Sequence, residues 1–131
     1  MKNKLLASFV LLAGLLMAGG AVSAHHGAAA LAMDKEVTFK GTVTSWQWTN
    51  PHCIMVFDVT DASGKVTSWS SETSPPIGMI QGGWNKNTLK PGDKITVVLH
   101  VAKSGAPVGR TVYVLLADGK KLLAGPGGVV N

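Results

Sequence analysis

The feature that most constrains this chain is a two-residue alternation of apolar and polar side chains over residues 36–49. Val37, Phe39 and Val43 fall on one face of an extended chain, and the threonines between them fall on the other. This period is typical of a half-buried β-strand. Gly41, in the middle of the segment, favours a bulge or a sharp bend.

Further segments of the same kind follow. They are rich in Val, Thr, Ile and Trp and are separated by clusters of Gly, Pro, Asn and Asp, and none has the apolar spacing of a long helix. The composition of residues 77–81 favours one short helical turn after Pro75 and Pro76. The predicted strands cover residues 36–49, 52–60, 65–73, 94–103, 110–117 and 121–124.

This order predicts an all-β protein, a small five- to six-stranded OB-like Greek-key barrel with one short helical turn between strands 3 and 4. A small open sandwich is the alternative. The barrel would cover residues 36–124, and the glycine-rich residues 125–131 would form a flexible tail.

The first residues have the order of a secretory signal peptide. Lys2 and Lys4 precede an apolar block, and small residues lead to Ala24. The block is shorter than the roughly 20 residues that a membrane span needs. We therefore expect residues 1–24 to be removed by cleavage after Ala24, leaving a periplasmic or secreted protein with no stable membrane anchor and an N-terminal arm at 25–35.

The net charge and the single cysteine limit the kinds of partner and of covalent cross-link that this protein can have. The net charge is +5, of which Lys2 and Lys4 carry two units, so the exported chain would be only mildly basic. Together with export, this argues against nucleic acid as a partner. The single cysteine, Cys53, cannot form an internal disulfide. We expect it to be a buried apolar side chain; a metal ligand or a redox thiol is the alternative.

Several short phrases resemble one known family. They are His25-His26, the run from Trp48 to His52, Gly83-Trp84, the run from Leu89 to Asp93, and the run from Asp118 to Leu122. The family comprises small exported bacterial proteins classed as a domain of unknown function. The resemblance implies export and one compact domain, and it transfers no catalytic residue. Members often carry a bulky aromatic after the histidine pair; this chain has residues 27–30 (GAAA), which leave the arm little to dock with.

The histidines suggest a copper site. If cleavage follows Ala24, His25 offers a free α-amine beside its own imidazole, and at neutral pH both nitrogens can bind a metal at a small cost in released protons. Nitrogen ligands of this kind suit Cu(II). His52, fixed by Pro51, is the best third ligand, and His26 is an alternative.

Other histidine interpretations stay open. His100 is a weaker candidate, and Glu72 could serve as an axial or supporting group only if the fold brings it near. The His25-His26 pair could instead be a polar, disordered terminus, and His52 could simply bond a turn backbone.

The tryptophans offer a different site. Trp46 and Trp48 lie two residues apart on one strand face, where they could form an aromatic platform for a glycan or a periplasmic protein partner. Packing at the core or the barrel edge is the alternative.

No paired acids, nucleophile motif or phosphate-binding loop is visible in the sequence. We therefore expect a non-enzymatic binding or interaction domain. The sequence does not identify its ligand, and copper is the most specific candidate cofactor. A copper-dependent oxidase or oxygenase using the same histidines is the competing hypothesis.

Overall fold

The computed structural model of the protein describes residues 26–125, and of His26 and Ala28 it describes only the backbone. The predicted signal segment, His25 and the tail from residue 126 onward lie outside the described residues. The elements, in chain order, are α1 (His26–Ala29), β1 (Leu31–Gln47), β2 (Ile54–Thr60), β3 (Val66–Glu72), α2 (Pro76–Met79), a 3-10 turn (Ile80–Gly82), β4 (Lys94–Ala102), β5 (Val108–Leu115) and β6 (Lys121–Leu123).

β1 is the strand around which the barrel closes. Its first part pairs with β4, where Val37 lies opposite Leu99, and its last part pairs with β2, where Gln47 lies opposite Ile54. All of these pairs are antiparallel. β3 pairs in parallel with β5 over three residues of each strand. The strands therefore close in the order β1, β2, β3, β5, β4 and back to β1, and β6 adds an extra strand on β5.

A glycine sits where β1 passes from one partner strand to the other. A Cβ atom on Gly41 would lie 2.8 Å from the ring of Phe57 and 2.9 Å from the carbonyl oxygen of Asp58. The strands approach more closely here than a side chain would allow. The predicted irregularity is present but displaced, since the register shift lies between Val43 and Ser45.

The core fills the barrel interior and the end that the helical segment closes. Met79, from α2, is fully buried, and Trp84 is 2% exposed. The indole N–H of Trp84 donates a 2.7 Å hydrogen bond to the carbonyl oxygen of Leu123, which ties the crossover to β6. The other large buried side chains are Val43, Met55, Phe57, Val97, Leu99, Val114 and Leu122.

The predicted five- to six-stranded barrel and the short helical segment between β3 and β4 are confirmed. The OB-type likeness stays a prediction. The largest boundary error is in β1, which begins at Leu31, not at Glu36; the other strand ends differ from the predicted ones by at most two residues. The additional residues do not alternate, and they are held by tertiary pairing instead, since Leu31 lies opposite Ala102 at the end of β4.

Candidate functional site

His52 is held in one orientation by the backbone. It follows the cis peptide bond between Asn50 and Pro51, and its Nδ1 lies 2.9 Å from the carbonyl oxygen of Thr73. A carbonyl oxygen can only accept, so Nδ1 carries the proton and donates. In the neutral ring Nε2 then holds the lone pair. The imidazole is thus oriented as metal-binding histidines commonly are, by a backbone carbonyl on the other ring nitrogen.

The acceptor of this bond is itself fixed. The backbone N–H of Thr73 donates to the carbonyl oxygen of Cys53 at 3.0 Å, continuing the β2–β3 pairing beyond the ends of both strands. Thr73 and Cys53 are both buried. His52 is therefore mounted on the rigid end of a hairpin rather than on a free loop.

A groove of about 470 Å³ lies beside His52, and we call it the arm groove. One wall comes from the N-terminal arm, one from the start of β2 and the end of β3, and one from the end of β4 and the start of β5. The lining residues are Gly27, Ala30, Leu31, His52, Ile54, Ser70, Glu72, Ala102, Val108, Gly109 and Arg110.

The polar groups of the arm groove lie on the outer face of the barrel. Ser71 and Thr111 are buried and joined by a 2.8 Å hydrogen bond between their hydroxyl groups. Because side chains alternate along a strand, the neighbouring Glu72 and Arg110 point the other way. These two residues are direct partners in the parallel β3–β5 pairing. A carboxylate and a guanidinium therefore share the outer surface on which His52 lies.

The N-terminal arm is attached to the barrel. The backbone N–H of Lys103 donates to the carbonyl oxygen of Ala30 at 2.9 Å, and its Nζ donates to that of Ala29 at 3.0 Å. We expected the GAAA stretch to leave the arm with little to dock with. Backbone acceptors supply the contact instead, and they bring Gly27 to the wall of the arm groove.

The structure shows the position of only some of the histidines that were predicted as metal ligands. His52 lines the arm groove, His25 lies outside the described residues, and the side chain of His26 is not described. His100 does not line the arm groove but lies opposite Arg110 in the β4–β5 pairing, with Nδ1 3.2 Å from the carbonyl oxygen of Lys35. Among the described side chains of residues 26–125, which do not include that of His26, no three His, Cys, Asp or Glu are grouped as a metal site.

The predicted aromatic platform is partly engaged in packing. Trp46 and Trp48 have ring centroids 5.9 Å apart, and Trp46 also lies 5.3 Å from the buried Trp84. The indole N–H of Trp46 donates to the carbonyl oxygen of Asn85 at 3.2 Å. Both rings pack against the core while remaining partly exposed. Their use as a ligand platform stays a prediction.

Cys53 is fully buried, as expected for an apolar side chain. Burial raises the pKa of its thiol above the ordinary value, and hydrogen bonds from Thr49 and Thr73 offset part of that effect. A thiol in this state is a poor nucleophile and a poor metal ligand.

A second groove, of about 480 Å³, crosses the outside of β1, β2, β4 and β5. Its polar residues include Lys40, Asp58 and Lys94. The ammonium group of Lys94 donates to the hydroxyl of Thr42 at 2.6 Å, so this charge is already engaged within the protein. The arm groove, which gathers His52 with further polar side chains, is the better candidate site.

A comparison with protein-family models identifies the family to which this chain belongs. It belongs to DUF6152, a family of unknown function. The family model matches residues 13–111, which includes β1 to β4 and the first half of β5. No curated protein and no solved structure matches the chain. The predicted resemblance to a domain of unknown function is thus confirmed, and the roles of residues in this DUF6152 protein rest on its own geometry.

The arm groove contains residues of this DUF6152 protein that sequence reasoning missed. Ser70 and Arg110 were not candidates, because nothing in the sequence marks which strand closes the barrel against β3. The parallel pairing between β3 and β5 alone makes Arg110 a neighbour of Glu72. No helix within residues 26–125 is long and apolar enough to cross a membrane.

Proposed function

We propose that this DUF6152 protein is an exported binding domain that holds one Cu(II) ion at the arm groove, through the α-amine and ring of His25 and the ring of His52. One observation carries the proposal: Gly27 and His52 line the same groove. Export is supported by the order of charged, apolar and small residues that ends at Ala24.

The short distance along the chain from His25 to Gly27 supports a metal site shared by His25 and His52. His25 is two residues before Gly27, and two residues span at most about 7 Å. Because Gly27 lies at the wall of the arm groove, a chain that begins at His25 has its terminal nitrogens within reach of that groove. The terminus need not cross the barrel to meet His52.

The nitrogen atoms that His25 and His52 offer are of the kind that Cu(II) prefers as ligands. An α-amine and the imidazole of the same residue can bind one ion together, and both give up their protons to a metal at small cost near neutral pH. The Nε2 of His52 supplies a third nitrogen whose direction is set by the bond to Thr73. Amine and imidazole nitrogens of this kind match the ligand preference of Cu(II). His26 is an alternative nitrogen source, and Glu72 could add an axial oxygen.

Calorimetric titration with Cu(II) tests the proposal. We expect one equivalent to bind the chain that begins at His25, and His52→Ala to weaken the affinity by at least about tenfold. His100→Ala is a matched control, because His100 also donates from Nδ1 to a backbone carbonyl but does not line the arm groove. Equal affinities for the two variants, or no binding at one equivalent, would overturn the proposal.

A copper-dependent oxidase or oxygenase is the second candidate. The arm groove holds Ser70, Glu72 and Arg110 beside His52, so a polar substrate would have partners next to the metal. Oxygen uptake in the presence of a reductant distinguishes the two functions. An enzyme would consume oxygen in a way that His52→Ala abolishes, whereas a carrier would bind copper without turnover.

A further inference from the structure

Two isoleucines protrude from the helical segment that closes one end of the barrel. Ile77, in α2, is 80% exposed, and Ile80, at the start of the 3-10 turn, is 56% exposed. They are three residues apart and therefore lie on the same side of a helical turn. We call them the isoleucine pair.

The isoleucine pair is held outward by the packing around it. Met79, which lies between the two in sequence, is fully buried, and its carbonyl oxygen accepts a hydrogen bond from the N–H of Trp84. The N–H of Gly83 donates to the carbonyl oxygen of Ile80 at 3.0 Å. The segment is fixed to the core by one face, so the exposure of the other face is a property of the fold.

Lysines follow the isoleucine pair in the sequence. Residues 73–92 contain Lys86 and Lys90 and no Asp or Glu, and the next residue, Asp93, accepts a hydrogen bond from the backbone N–H of Lys90 at 2.8 Å. Lys120, from the turn between β5 and β6, places its Nζ 3.7 Å from the position that a Cβ on Gly83 would occupy. The one acid on that turn, Asp118, accepts a hydrogen bond from the backbone N–H of Lys120 at 2.9 Å.

We propose that this end of the barrel docks reversibly on an anionic phospholipid bilayer. The isoleucine pair would enter the boundary between headgroups and acyl chains, and the surrounding lysines would lie at the level of the lipid phosphates. Exposed apolar side chains combined with nearby cations bind proteins to such surfaces without a spanning segment. Charge complementarity favours this occupant, because an uncharged or cationic surface would leave the lysines unmatched.

Vesicle sedimentation tests the docking. The chain that begins at His25 is suitable, because every buried apolar residue in the described part of the chain lies within residues 43–124. We expect it to sediment with vesicles of phosphatidylcholine containing phosphatidylglycerol, but not with pure phosphatidylcholine, and to be released by high salt. Ile77→Ser combined with Ile80→Ser should weaken binding at least about tenfold, and Lys120→Gln about fivefold.

Val66→Ser is the matched control. Val66 is 55% exposed but begins β3, whereas the isoleucine pair follows the end of that strand, roughly 20 Å away. The control should bind vesicles like the unchanged chain, and all of these exposed substitutions should keep the same thermal midpoint. Failure to sediment with the anionic vesicles would overturn the proposal, even if an acidic protein bound this end. Equal binding by the double variant and by Val66→Ser would also overturn it.

Discussion

The Nδ1–H of His52 donates a 2.9 Å hydrogen bond to the carbonyl oxygen of Thr73. This bond joins His52, two positions before β2, to the residue directly after β3, so the imidazole is fixed at the end of the hairpin. Its direction matters because the ring lines the arm groove, which Gly27 also lines. The proposed copper site depends on this relationship between a rigid histidine and an attached N-terminal arm.

The first prediction concerns barrel closure. The hydroxyl groups of Ser71 and Thr111 form a buried hydrogen bond across the parallel β3–β5 pairing. Ser71→Ala should lower the free energy of unfolding by about 1–3 kcal/mol, because it leaves the Thr111 hydroxyl without its partner. Urea unfolding measures this.

The double variant Ser71→Ala with Thr111→Val supplies the control. It removes both polar groups, so it should cost less than the sum of the two single changes. Strictly additive costs would contradict a direct interaction between the two hydroxyl groups.

The second prediction concerns Gly41. Gly41→Ala should lower the free energy of unfolding by about 1–3 kcal/mol, because the new methyl group would meet the ring of Phe57 and the backbone of Asp58. Gly125→Ala, where nothing lies within 4 Å, should be close to neutral. Thermal unfolding of the two variants checks this, and equal midpoints would show that β1 and β2 do not approach so closely.

The strands could be predicted because their side chains alternate and clusters of turn residues separate them. The arm was harder, because its residues do not alternate. This part of β1 is held by the pairs that Leu31 and Glu36 form with β4, a distant segment, on either side of a register shift. Beyond His52 and Glu72, the residues of the arm groove could not be predicted. Its other polar residues are brought together by the parallel pairing of β3 and β5, two strands that are far apart in the sequence. The local sequence pattern of either strand does not indicate which strand it will pair with.

The third prediction concerns pH. Asp61 accepts hydrogen bonds from the Ser63 hydroxyl and from the backbone N–H groups of Ser63 and Lys65. The bond from the Ser63 hydroxyl is the main reason that the pKa of Asp61 lies below its ordinary value. A lowered folded pKa means that the ionised carboxylate stabilises the fold above the ordinary pKa, and that this contribution is lost as pH falls through the folded value.

The Asp61→Asn variant tests the direction of this pH dependence. The variant should be less stable than the unchanged chain at neutral pH, and the difference should shrink as the solution is acidified. Urea unfolding across this range measures the difference. A gap that is constant or that widens in acid would show that the charge of Asp61 does not support the β2–β3 turn.

The fourth prediction concerns Cys53. Because the side chain is buried and its thiol pKa is raised, a thiol-specific reagent such as a water-soluble aromatic disulfide should label the folded protein slowly. Labelling should become rapid and stoichiometric in denaturant. Fast labelling of the folded chain would show that the space between β2 and β3 opens readily.

The most direct test of the copper site uses the electron paramagnetic resonance spectrum of the chain that begins at His25, loaded with one equivalent of Cu(II). A chain that retains Ala24 is the matched comparison, since it keeps every histidine but moves the free amine away from His25. We predict a nitrogen-rich signal from the first chain that changes in the second chain and in His52→Ala. Identical spectra from all three proteins, or no bound copper in the first, would contradict the account.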